Sequence, residues 1–197
     1  MIINAPRGTV DITPDQIHEW HYIEDKIRQA MDIFGYNEIR TPIFEKTELF
    51  IRGVGEGTDI VTKEMYTFED KGGRSITLRP EGTASVVRSY IERGFSAPNS
   101  ISKFYYISPM FRYERPQAGR LRQHHQFGVE ALGSPSAYVD VEIIALAMQL
   151  YKSLGLENLV LKLNSVGCGE CRKTYVENLK KYIEARLDKL CGDCLTR

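Results

Sequence analysis

The sequence carries no excess charge of either sign: 26 Lys and Arg are matched by 26 Asp and Glu. No global basic field draws the chain to nucleic acid, so any such contact has to be local. No apolar run is long enough to cross a bilayer, and the start, MIINAPRGTV, lacks the apolar stretch of a signal peptide. These absences predict a cytoplasmic protein with no membrane partner. Cysteine is scarce, four in 197 residues. In a reducing compartment those four are expected as thiols or metal ligands rather than disulfides. Repeats and low-complexity segments are also missing. What remains is ordinary globular composition, 42% hydrophobic and 26% charged, which excludes disorder and suffices for a proper core.

Helices and strands alternate along the chain. TPDQ predicts a helix start, with Thr13 as N-cap, Pro14 in the first turn and Gln16 completing a capping box. Ile17, Trp20, Ile23, Ile27, Ala30, Met31 and Phe34 follow at helical spacing, and Gly35 ends the run. YNEIRTPIFE is a strand interrupted at Pro42. EMYTFEDKGGRSITL is a hairpin turning at Gly72 and Gly73, and a second helix runs from near Thr83 to Gly94. DVEIIALAMQLYKSLG is a third helix, NLVLKLNS another strand, and 172–190 an amphipathic helix. The sum is an α+β fold, a mainly antiparallel sheet flanked by helices.

The densest chemistry lies in FRYERPQAGRLRQHHQFGVE, residues 111–130. Read as a hairpin turning at RPQAG, it sorts by parity, because alternate residues of a strand share a face. Arg120, Arg122, His124, Gln126, Gly128 and Glu130 fall on one side, as do Arg112 and Glu114 of the incoming strand. Leu121, Gln123, His125, Phe127, Val129 and Ala131 fall on the other. Clustered arginines repel one another unless a polyanion arrives, and guanidinium forks match phosphate oxygens, so a triphosphate is the expected guest. Gly128 leaves room on that face for something flat. The plain alternative is a solvated polar sheet face. His125, among apolar neighbours, reads as packing, and His18 and His21 have no constellation around them.

This stretch resembles the second signature motif of class II aminoacyl-tRNA synthetases, and among them of the histidyl-tRNA synthetase family. TPIFEKTELFIRGVGEGTDIVTKEMYTFED resembles the first motif of that family, and TLRPEGTASVVRSYIE its histidine-binding loop and helix. The resemblance implies the class II catalytic fold and ATP-dependent activation of L-histidine with Mg²⁺, followed by transfer to tRNA(His). It implies that Arg112 holds the α-phosphate and is catalytic, that Glu114 faces the adenine amino group, and that Arg120 reaches the outer phosphates. The family's adenine-stacking phenylalanine is His124 here. Glu81, Gly82 and Thr83 correspond to the loop that holds the substrate amino group. Gln126 lines the amino-acid pocket, and Glu130 accepts the imidazole N–H. A first-turn carboxylate and an N-cap are the simpler readings of Glu81 and Thr83.

The resemblance also implies a homodimer, through the helix from Pro14 to Phe34 and the strand through Pro42, with Trp20 and Met31 in that interface or in the core. Residues 1–164 correspond to the first part of the catalytic core, and 165–197 to a helical insertion. The family's RGLDYY-like segment, third motif and anticodon-binding domain have no counterpart in these residues, so the chain alone is expected to be inactive. Two other readings compete: the non-catalytic, synthetase-like regulatory subunit of ATP phosphoribosyltransferase, and a zinc-dependent nucleic-acid module. Cys168, Cys171, Cys191 and Cys194 form C-x₂-C-x₁₉-C-x₂-C, the spacing of a four-thiolate structural zinc site. Against it, one straight helix between the pairs would hold them roughly 28 Å apart. The resemblance implies a break near Glu184 and Ala185, which leaves zinc and four free thiols both open.

Overall fold

The computed structural model describes residues 3–54, 58, 60–97, 100–115, 117, 119–165 and 167–195. Residues 55–57 and 59 of the first-motif stretch, and 116 and 118 of the RPQAG turn, lie outside the described residues. The chain divides into two compact units, 1–157 and 158–197.

The first unit opens with helix α1 (Ile17–Phe34), ended by Gly35 in the left-handed region at φ 72°. Its first turn is led in by the Thr13 carbonyl, which accepts from Gln16 and Ile17 N–H at 2.9 and 3.0 Å. No side chain caps it, so the expected capping box does not form. Pro42 falls where the chain leaves one sheet for the other. Before it, β1 (Asn37–Glu38) runs parallel to β5 (Ser102–Phe111), and after it β2 (Phe44–Lys46) pairs antiparallel with β4 (Ser75–Leu78). The hairpin predicted over 64–78 is present as β3 (Tyr66–Glu69) and β4, starting two residues later because Glu64 ends the preceding helical turn. Two sheets result, ordered β1-β5-β6 and β2-β4-β3, with β6 spanning Gln123–Leu132. Helix α2 (Thr47–Val54) and a turn of π-helix at Ile60–Glu64 join β2 to β3. Neither was expected.

Both faces of β5 are covered. On one, Tyr105 packs with Ile27, Ala30 and Met31 of α1 and with Leu146 and Leu150 of α4 (Ala137–Ser153). On the other, Tyr106 and Met110 pack with Val86 of α3 (Thr83–Glu92), and Phe104 and Ile39 border them. Each large side chain so buried contributes about 1.5–3 kcal/mol. Met31 is therefore core, and the polar face of the hairpin is polar over only part of its length.

Arg79 ties the sheets together at the point that matters for the site. It is 3% exposed. Its Nε donates to the Pro109 carbonyl at 2.9 Å and its Nη1 to the Thr41 carbonyl at 3.0 Å. Its own backbone accepts from Phe111 N–H at 3.0 Å and donates to Ile43 at 2.9 Å. The end of β4 is thus clamped to the end of β5, which sets the RPEGT loop against the hairpin. No helix among the described residues is long and apolar enough to cross a membrane.

In the second unit, residues 158–165, expected as a strand, form no strand with any described residue. Helix α5 runs Gly169–Glu184, a 3₁₀ turn follows at Leu187–Lys189, and α6 spans Gly192–Leu195. The predicted 172–190 helix is therefore broken, at Arg186, whose φ of −141° leaves the helical region.

Candidate active site

The ten-pair register of β5 and β6 sets Phe104 opposite Glu130, Tyr106 opposite Gly128, Ser108 opposite Gln126 and Met110 opposite His124. These pairs and Arg112 lie on one face, so the parity reading places its residues together. From His124 to Glu130 is six residues of strand, about 20 Å. One face thus has two ends.

At the first end, Arg112 leaves β5 with its backbone held by Arg122 at 2.9 Å. Its Nε donates to the Pro80 carbonyl at 2.8 Å, which fixes the guanidinium plane and turns both Nη groups away from that anchor. Glu114 stands between Arg112 and Arg120, 3.9 and 3.5 Å from their nitrogens. The arginines therefore have an internal counter-ion, and the repulsion expected without a polyanion is relieved by this carboxylate. Both pairs are long for ion pairs, so little is lost when an anion takes the guanidiniums over. Arg122 turns elsewhere: it stacks 4.1 Å over the Tyr113 ring and donates to the Glu114 carbonyl at 3.3 Å. Gly8 crosses its side chain at φ 87°, where a Cβ would lie 2.8 Å from Arg122 Cγ. Burial and the Arg112 charge hold His124 below the usual imidazole range, so its ring is neutral at pH 7 and available for stacking. His125 lies on the opposite face, edge-on to Trp20 with centroids 4.6 Å apart.

At the second end, helix α3 begins beside β6. Thr83 is its first residue, and Gly82, the N-cap, offers no side chain. Glu81 supplies the cap instead, its two oxygens accepting Thr83 N–H at 2.6 Å and Ala84 N–H at 2.9 Å. Neither simple reading is met: Glu81 precedes the N-cap rather than standing in the first turn, and Thr83 is inside the helix, its hydroxyl donating to Glu130 Oε1 at 2.7 Å. Burial pushes the Glu130 carboxyl above its ordinary range, partly offset by the Thr83 bond. Glu81 and Thr83 open onto a groove of about 870 Å³ between α2 and α3. Gly128 does not leave room for a ligand: the Tyr106 ring fills it, and a Cβ there would sit 2.3 Å from Tyr106 Cζ.

The cysteines are exposed and stand as two pairs. Cys168 is the N-cap of α5, its Sγ accepting from Cys171 N–H at 3.4 Å. That contact is the main cause of a thiol held below its usual range. Cys191 and Cys194 sulfurs are 3.5 Å apart. Among the described residues no group of three or more His, Cys, Asp or Glu is placed to hold a metal. Of the two readings left open, the four cysteines are therefore not gathered around one point here, although the helix between them is broken.

A strand face with an arginine–glutamate–arginine cluster at one end, and a half-buried carboxylate beside a helix start at the other, suits a ligand with phosphate and N–H groups. The sequence profile of the histidyl-tRNA synthetase family matches residues 8–170. The histidine–tRNA ligase of Thermoanaerobacter pseudethanolicus is 59% identical over all 197 residues, and that of Clostridioides difficile 56%. The chain spans 47% of the length of each, about half. The apo histidyl-tRNA synthetase of S. aureus has the same fold, with TM-score 0.74 and 48% identity over all of this chain and 46% of that one. A Bacillus halodurans protein described as an ATP phosphoribosyltransferase regulatory subunit/histidyl-tRNA synthetase follows, with TM-score 0.67 and 26% identity over 80% of this chain and 39% of that one. This chain belongs to the histidyl-tRNA synthetase family.

Proposed function

We propose that this chain is the ATP- and histidine-gripping part of a histidine–tRNA ligase, which activates L-histidine to histidyl-adenylate and transfers it to tRNA(His). The carrying observation is the division of one hairpin face between a guanidinium cluster and the Thr83–Glu130 pair. Glu130 Oε1 is engaged by Thr83 and its second oxygen accepts the imidazole N–H. An analogue without that N–H leaves a half-buried carboxylate unpaired, a strong selectivity device. Gln126 lies between the two ends, where the substrate carboxylate meets the α-phosphate. Arg112, anchored through Nε, offers its Nη groups to the charge that grows on that phosphate. Glu114, freed as the arginines turn to phosphate, accepts from the adenine amino group, and neutral His124 stacks on the base. Mg²⁺ arriving with ATP supplies further neutralisation of the triphosphate.

The regulatory-subunit reading is not favoured, since identity to the ligases is 54–59% against 26% to the Bacillus halodurans protein. In the full-length form, histidine alone among twenty amino acids is expected to drive ATP–pyrophosphate exchange. Exchange with another amino acid, or with none, refutes the ligase reading.

Two finer proposals accompany it. Tyr22, Ile23 and Ile33 of α1 are 55%, 45% and 69% exposed, which supports a two-fold partner on that helix; light scattering that gives a monomer at micromolar concentration contradicts this. A four-thiolate zinc site in residues 168–194 is supported by the C-x₂-C spacing and the break at Arg186. It requires the two pairs to come together on metal, and protein purified without chelator should contain about one zinc, lost in Cys168→Ser/Cys171→Ser.

A further inference from the structure

We propose that Arg122 is a positioning residue for base selection: it holds Glu114 where the adenine amino group arrives, rather than binding phosphate itself. The inference rests on the ATP reading of Glu114 above and gives a separate role to an arginine that strand parity groups with Arg112 and Arg120.

The paired ladder of β5 and β6 ends at Phe111 and Gln123. Glu114 stands three residues beyond it, whereas a recognition group has to be held to within about 0.5 Å. Arg122 extends the ladder to reach it. Its carbonyl accepts from Arg112 N–H at 2.9 Å, and its Nε donates to the Glu114 carbonyl at 3.3 Å. Between these two bonds the backbone reverses tightly, Glu114 N–H donating to the Arg112 carbonyl at 2.8 Å. Tyr113 is the apex of that turn, and the Arg122 guanidinium lies 4.1 Å over its ring. The apex is held in turn: Tyr113 N–H donates to the Glu64 carbonyl at 2.7 Å, and its ring meets that of Tyr66 edge-on, centroids 5.5 Å apart.

Arg122 is itself fixed from the N-terminal side. Its N–H donates to the Gly8 carbonyl at 2.7 Å. A Cβ on Gly8 would lie 3.0, 2.8 and 3.0 Å from Arg122 Cβ, Cγ and Cδ, so that segment runs directly against the side-chain stem. Stem, ring-facing plane and Nε are all engaged in holding residues 112–114. Lysine and arginine can both meet a phosphate, but only a planar guanidinium lies flat on a ring while donating through Nε. Glu114 is also the group that tells one purine from another. Adenine offers it an amino donor at C6, whereas hypoxanthine offers a carbonyl oxygen that the carboxylate repels. A displaced Glu114 therefore penalises ATP and not its inosine counterpart.

The test is ATP–pyrophosphate exchange in the full-length form, with ATP and with inosine 5′-triphosphate, read as the ratio of their kcat/KM values. Both nucleotides are run on one preparation, so misfolded protein cancels from the ratio. The wild type is expected to favour ATP by about a hundredfold or more. Arg122→Lys should lower that ratio about tenfold. Tyr113→Leu, which removes the platform, should do the same, and the double variant should lose no more than either. Tyr113→Phe keeps the ring face and should keep the ratio. A ratio unchanged in Arg122→Lys or in Tyr113→Leu, whatever the absolute rates, overturns the proposal and leaves the ATP reading standing. A wild type that does not prefer ATP removes the adenine reading of Glu114, and the proposal with it.

Discussion

The β5–β6 hairpin and the segment after Asn158 are both marked by pattern, alternation in one and paired cysteines in the other, yet they are built differently. The hairpin is packed on both sides, by α1 and α4 on one face and by α3 on the other. A one-residue slip would turn Glu130 and His124 into an apolar layer, so register and chemistry are fixed together. In the second unit α5 buries none of its residues. Its cysteines have spacing but no surrounding core that decides where each pair lies. Spacing becomes a site only where packing leaves one arrangement.

The sharpest way to break that contrast is to add one methyl group to each region. Gly128→Ala should cost roughly 2–3 kcal/mol in chemical denaturation, because the added Cβ meets a ring held on its far side by Gly82. Arg79→Met should cost somewhat less, about 1–2 kcal/mol, since the Pro109 and Thr41 carbonyls lose their donor while a buried charge disappears. A loss below about 0.5 kcal/mol, the scatter of surface changes, would show that the clamp between the sheets is not needed.

A smaller effect concerns pH. The Glu130 carboxyl is raised in the folded state by burial. Folding thus favours its protonated form, and stability falls as pH rises from the ordinary carboxylate value through the raised one. Asp70, lowered chiefly by the Arg74 backbone N–H, acts in the opposite sense but below its ordinary value, so the two windows do not overlap. Glu130→Gln keeps the acceptor for Thr83 and should flatten the decline above the ordinary carboxylate range; a variant with the wild-type slope would show that Glu130 is not its source. Smallest of all is Gly169→Ala in α5, where an added Cβ meets nothing within 4 Å. It should be neutral or stabilising by at most about 1 kcal/mol.

Much of the site was legible because strand parity is a strict rule: it placed Arg112, His124, Gln126 and Glu130 on one face before any contact was known. Parity does not report what stands across the sheet. Gly128 read as space for a ligand, and the ring that fills it is that of Tyr106 on the neighbouring strand. Counting back through the RPQAG turn would have set Tyr106 opposite Gly128, a cross-strand aromatic over a glycine. The internal counter-ion role of Glu114 and the capping by Glu81 depend on side-chain reach, which spacing does not encode. The 158–165 segment alternates well enough for a strand, but a strand exists only with a partner, and none of the described residues supplies one.

The central claim is that one face of the hairpin is divided, with amino-acid recognition at Glu130 and phosphate charge at Arg112. Steady-state ATP–pyrophosphate exchange in the full-length form, with Glu130→Gln and Arg112→Ala compared side by side, tests it most directly. Glu130→Gln should raise the histidine KM by about tenfold or more with a smaller change for ATP, since it removes an interaction made to the imidazole. Arg112→Ala should lower kcat by two orders of magnitude or more, on the order of what one lost transition-state charge contact costs. Equal losses in both parameters for both variants would contradict the division.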